Sequence, residues 1–125
     1  MSEKHFTVPL KDIIPQQHYL CQEKLDKVRL DFEKFDNPGK IYVIFYKDKI
    51  FSIDGHHRLF HLFELGIDYV EVINDPLDCE CTLYQILADE SISMGLKTIA
   101  DLKSRILPTF KEFNDKWIKK CNEIV

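Results

Sequence analysis

Ile50-Phe51-Ser52-Ile53-Asp54-Gly55-His56-His57-Arg58-Leu59 is the stretch on which the fold turns, because the hydrophobic period changes inside it. Up to Ile53 the pattern is extended. After Asp54-Gly55, Leu59, Leu62, Phe63 and Leu65 follow the spacing of a helix face, and Gly66 stands where a helix C-terminus favours a left-handed residue. The segment therefore predicts a strand, a tight turn and a helix.

Upstream, Ile41-Tyr42-Val43-Ile44-Phe45-Tyr46 is the strongest strand signal in the chain. The polar break Lys47-Asp48-Lys49 joins it to Ile50–Ile53, which reads as a hairpin whose link lacks glycine. Downstream, Tyr69–Ile73 is a further β-run before Asn74-Asp75-Pro76. Towards the N-terminus, Leu25, Val28, Phe32 and Phe35 recur at spacings of three and four, predicting a helix from about Cys21 to Phe35. Asp36-Asn37-Pro38-Gly39 ends it. Phe6–Leu10 is extended, and Pro9 makes it an edge strand or an irregular one. Pro15 holds Ile14 extended. Beyond the strands, 82–88 and 99–107 carry apolar periodicity, and Pro108 precedes a last amphipathic helix marked by Phe110, Phe113, Trp117 and Ile118.

These elements predict a small α+β domain, a mixed β-sheet packed with helices. The 125 residues suit a single domain, with a core at 6–75 and a helical extension at 82–125. Net charge of −4 and a pI of about 5.7 argue against general binding to duplex DNA, which needs a basic surface. No apolar run reaches membrane-spanning length and no signal-like segment opens the chain, so a cytoplasmic location is expected. Cys21, Cys79, Cys81 and Cys121 lie in unlike contexts and are expected as free thiols.

The chemistry concentrates at Asp54–Arg58. A helix beginning here has three basic side chains in its first turn, where the dipole disfavours cations and unpaired N–H groups point outward. An anion reconciles these features by taking the amides of His56 and His57, the dipole and the Arg58 guanidinium together. Gly55 lets an oxyanion approach the backbone. A structural account competes: Asp54 caps the helix, Gly55 satisfies a backbone angle, and Arg58 pairs with Asp54 or Glu64.

The stretch Val8 to Asn74 resembles the ParB/sulfiredoxin-like superfamily. The resemblance rests on Val8-Pro9-Leu10 through Ile13-Ile14-Pro15, on Asp54-Gly55-His56-His57-Arg58, and on Gly66 followed by Tyr69-Val70-Glu71-Val72. It implies that the turn binds a nucleotide phosphate: ATP as in sulfiredoxins, CTP as in ParB proteins, or ADP as in free-serine kinases. His56 occupies the position of the sulfiredoxin cysteine, which argues against that activity. The chain offers no helix-turn-helix domain of the ParB type, and no carboxylate cluster for nuclease chemistry.

The turn is most similar to that of the free-serine kinases, and the resemblance implies a phosphotransferase acting on a small hydroxyl-bearing substrate. In such an enzyme Gly55, His56, His57 and Arg58 hold phosphate. Asp54 holds Mg²⁺ or orients the acceptor, and His56 or His57 contacts the transferring group. The kinase glutamate has no counterpart in Ile14–Tyr19, leaving His18 or Glu23 as the general base. The alternative is a non-catalytic binding or regulatory module, associated with a plasmid, phage or toxin system, that keeps the turn as a ligand or structural element. His57 and His61, four apart, could hold zinc, and Cys79-Glu80-Cys81 could be a metal or redox pair, although each pattern lacks its usual companions. The sequence sets no oligomeric state.

Overall fold

The computed structural model describes residues 4–34, 41–74 and 82–124. Five strands form the main sheet: β1 (Lys4–Pro9), β2 (Ile13–Pro15), β4 (Tyr42–Tyr46), β5 (Lys49–Asp54) and β6 (Tyr69–Asn74). Their order is β1-β6-β4-β5-β2. The pairs β1–β6 and β4–β5 are antiparallel, whereas β4–β6 and β2–β5 are parallel. The two proline-bearing strands, β1 and β2, lie at the edges, where a missing N–H interrupts no ladder. The architecture is the mixed α+β domain expected.

Alternation along the central strands loads both faces of the sheet. Val43, Val70 and Val72 join Ile13, Leu25, Leu59, Phe60, Ile99 and Leu102 in the main core. This core lies under α1 (Gln22–Lys34) and α2 (His56–Glu64). Ile44 and Phe51 face the other way and pack with Ala88 of α3 (Thr82–Ser93). Tyr46 donates to Asp89 at 3.1 Å and Lys47 pairs with the same carboxylate at 2.8 Å, tying the β4–β5 hairpin to α3.

The hairpin link is a two-residue turn in which Lys47 (φ 53°) and Asp48 (φ 61°) both lie in the left-handed region. That conformation matches strand twist but ordinarily selects Asn-Gly. Without glycine the turn carries a steric cost, greater at a residue that cannot bond its own backbone. Asp48→Gly is expected to raise the free energy of unfolding by about 0.5–1 kcal/mol in urea titrations, since relief of left-handed strain outweighs added chain entropy. A loss of stability would show that the Asp48 side chain itself supports the turn.

Three expectations need correction. The helix face predicted for α2 included Phe63 and Leu65, yet these are 39% and 55% exposed, while His56, Leu59, Phe60 and Leu62 are buried. The helix is gripped between α1 and a 3-10 turn at Ile99–Ser104, which rotates its buried stripe onto Phe60. Residues 99–107 are not one helix. Ile99 and Leu102 lie three apart and fit a 3-10 face as well as an α-face over so short a run. The chain then leaves at Arg105 to form β7 (Ile106–Leu107), which pairs in parallel with β3 (Leu20–Cys21). Finally, the C-terminal helix is interrupted: α4 (Phe110–Phe113) and α5 (Lys119–Ile124) flank a π-turn at Asn114–Ile118.

Gly66 ends α2 as expected, at φ 77°, with Gly66 N–H bonded to Phe63 O and Ile67 N–H to Leu62 O. This is a Schellman motif, repeated at Gly95 after α3. The predicted turn at 36–39, residue Phe35 and the Cys79-Glu80-Cys81 pair lie outside the described residues. Cys21 and Cys121 are free thiols. No helix among the described residues is long and apolar enough to cross a membrane.

Candidate functional site

Gly55 adopts φ 84° and ψ 23° between β5 and α2, a left-handed geometry open to a residue without Cβ. Asp54, exposed at the end of β5, accepts the Gly55 N–H at 2.8 Å and so fixes the turn locally. The first bond of the α2 ladder runs from Leu59 N–H to Gly55 O at 2.8 Å. The amides of His56, His57 and Arg58 therefore precede the ladder, and no carboxylate occupies the first turn. Turn and helix stand where the sequence placed them.

The two histidines are held by the segment between β2 and α1. His56 is 3% exposed, with Nε2 3.0 Å from the Ser52 carbonyl and 3.2 Å from the Gln17 amide. One nitrogen serves one of these at a time: it donates to Ser52 in one tautomer and accepts from Gln17 in the other. Burial, reinforced by His57 and His18, pushes its pKa down to about 3, while the Ser52 hydrogen bond opposes the shift. His57 Nε2 accepts the Cys21 amide at 2.9 Å, which places its proton on Nδ1. Burial lowers His57 to about 4, with Lys24 and Arg58 adding positive potential. Both rings are neutral at physiological pH.

His18 is fully buried in the same region. Its Nε2 lies 3.2 Å from Leu87 O and 3.1 Å from Ser91 Oγ, and its ring meets Trp117 edge-on at 4.9 Å. Burial is the main cause of its lowered pKa. Glu23, at the start of α1, accepts the Phe110 amide at 2.6 Å and so caps the C-terminal helix. Thr109 completes that cap by accepting the Glu112 amide. Lys24 lies over the rings of Phe110 and Phe113, 5.4 and 5.0 Å from their centroids, and Phe113 meets His57 at 5.9 Å.

Of the residues singled out from sequence, His18, His56 and His57 converge on the 16–22 segment, with the C-terminal helix packed against them. Asp54 stands apart at the strand end. Arg58 is half-buried in the first turn of α2. Glu64 engages Arg29 at 2.5 Å and His61 at 3.3 Å. His61 also packs edge-on against Phe32. With His57 bonded to Cys21, the His57/His61 spacing serves packing in this arrangement. Among the described residues no three His, Cys, Asp or Glu side chains converge on a point that could hold a metal. Lys24 and Gln17 were not singled out from sequence, and Cys21 was read only as a free thiol and a helix start. Their contribution comes from contacts with residues some 35 or more positions away, which no local pattern encodes.

No family model matches the chain, and no curated protein matches it. Among solved structures it is similar to protein Atu1540 from Agrobacterium tumefaciens, at 19% identity and a TM-score of 0.49. The match covers 58% of this chain and 39% of that one, so the chain spans well under half the length of that protein. At this TM-score the likeness supports no conclusion about function.

Proposed function

We propose that the Asp54–Arg58 turn binds the phosphate of a nucleotide, in the manner implied by the chain's resemblance to the ParB/sulfiredoxin-like superfamily. The observation that carries the reading is the opening of α2: a left-handed Gly55, three amides ahead of the helix ladder, no acid in the first turn, and positive potential from Lys24 and Arg58 reaching His57. ATP, ADP or CTP with Mg²⁺ is the ligand class. Asp54, exposed beside the turn, is the carboxylate available to a phosphate-bound Mg²⁺, which needs only one or two such ligands.

The engaged side chains favour binding without transfer. His18, His56, His57 and Glu23 each spend a ring nitrogen or carboxylate oxygen on the protein's own backbone. As a base, the fully buried His18 would first have to be uncovered to act through Nδ1, and Glu23 would act through the carboxylate oxygen that the Phe110 amide leaves over. The non-catalytic module is therefore the better-supported form of the proposal, with the neutral histidines shaping the site and Arg58 with the amides holding the anion.

Isothermal titration with ATP, ADP and CTP, with and without Mg²⁺, tests the proposal. Arg58→Ala is expected to weaken the bound nucleotide about 10- to 100-fold, the effect of losing a charge-assisted hydrogen bond of about 1.5–3 kcal/mol. Absence of binding to every nucleotide by the unaltered protein sinks the reading. Phosphate release or transfer under the same conditions would restore the enzyme.

A further inference from the structure

We propose that the cavity at the opposite end of α2 is a binding site for an α-amino acid with a large apolar side chain. The cavity measures about 430 Å³, within the range of about 300–1,000 Å³ typical of small-molecule sites. It lies about 13 Å along α2 from Gly55, the rise of a nine-residue helix, and is separate from the phosphate turn.

Three elements build its walls. The C-terminal turn of α2 contributes Phe63, Gly66 and Ile67. The bend after β1 contributes Leu10 and Lys11, and the 3-10 turn contributes Ile99 and Ala100. Each wall is fixed by its own hydrogen bonds. The Schellman motif holds Gly66, Leu10 N–H bonds to Asp68 O at 2.8 Å, and a Thr98–Asp101 capping box starts the 3-10 turn. The lining is mainly apolar, and its outer members Phe63, Ile67 and Tyr69 are 39%, 40% and 64% exposed, apolar surface that the fold leaves available to a ligand.

The charges choose the ligand. Lys11 and Asp68 both line the cavity, and among the described residues neither enters an ion pair. A purely apolar molecule would cover both charges without pairing either, and a fatty acid would answer only Lys11. A zwitterion answers both, its carboxylate meeting Lys11 and its ammonium meeting Asp68. The C-terminal turn of α2, the negative end of the helix dipole, lies on the same wall and also favours the ammonium. The apolar walls then take the side chain.

L-phenylalanine is the probe, followed by ¹H–¹⁵N chemical shifts of the full chain. Saturable shifts at Ile67, Tyr69 and Ala100 are expected, with a Kd on the order of 1 mM for so small a ligand. N-acetyl-L-phenylalanine and L-phenylalaninamide, each lacking one charge, should bind at least about tenfold more weakly, as should Asp68→Asn and Lys11→Gln, whose side chains are exposed and whose loss spares the core. Ala100→Phe should fill the cavity, and Arg58→Ala should leave the shifts unchanged. The proposal is overturned by no saturable shift at these positions up to about 10 mM, by equal affinity for the capped forms, or by indifference to both charge substitutions.

Discussion

Trp117→Ala is expected to lower the free energy of unfolding by about 3–5 kcal/mol, the range for removing a large buried aromatic side chain. Trp117 is 7% exposed, clusters with Cys21, Leu87, Leu107 and Phe113, and covers the His18 ring. Its loss opens a cavity between the C-terminal helix and α3 and wets a histidine that is otherwise fully buried. Against a typical domain stability of about 5–15 kcal/mol, the variant stands near the edge of folding. Phe110, three residues before Phe113, supplies the control. It is 46% exposed, and its amide, not its ring, receives the Glu23 cap, so Phe110→Ala should cost under about 1 kcal/mol. Equal costs in urea titration would refute this picture of the C-terminal helix.

The second large effect is a loss of stability on mild acidification. His56 and His57 have folded pKa values of about 3 and about 4, below the ordinary 6.5, and His18 is lowered as well. Because the folded values are depressed, the unfolded chain binds more protons than the folded one between pH 6.5 and about 4. Stability then rises with pH across that window and falls as pH is lowered through it. Each histidine contributes about 1.4 kcal/mol per pH unit once its unfolded form is protonated, so His56 and His57 together withdraw about 4 kcal/mol between pH 7 and pH 5. Urea unfolding at the two pH values measures this directly, with a net uptake of about two protons per molecule unfolded at pH 5. Equal stability at both would mean that these rings are protonated in the folded protein.

The strands, the turn and the start of α2 were legible because each is written locally. β-branched and aromatic runs marked β4 and β6, Pro9 marked one edge, and Asp54-Gly55 marked the change of period. What stayed hidden depends on contacts distant in sequence. Nothing within Leu20-Cys21 signals a strand, since a two-residue β3 exists only when Ile106-Leu107 lies beside it. The use of the histidines was hidden for the same reason. His56 and His57 looked like side chains aimed at a ligand, and it is their amides that precede the helix ladder. Their rings, however, are set by Ser52, Gln17 and Cys21, and only the fold reveals that.

The short β3–β7 pair has a consequence for how the chain is made. The segment from Gln16 to Glu23 carries His18 and bonds to both histidines of the turn, yet it is fastened by Leu87, Ser91, Arg105 and Phe110, residues synthesised well after the sheet. While the chain emerges from a ribosome, the sheet can close once β6 is out. The walls around His56 and His57 cannot close until more than thirty further residues have followed. These late contacts span large sequence separations, and contacts of that kind slow folding. A nascent chain that has passed Asn74 but not Leu107 therefore holds a formed sheet beside unfinished packing, its histidines still open to water and to protons.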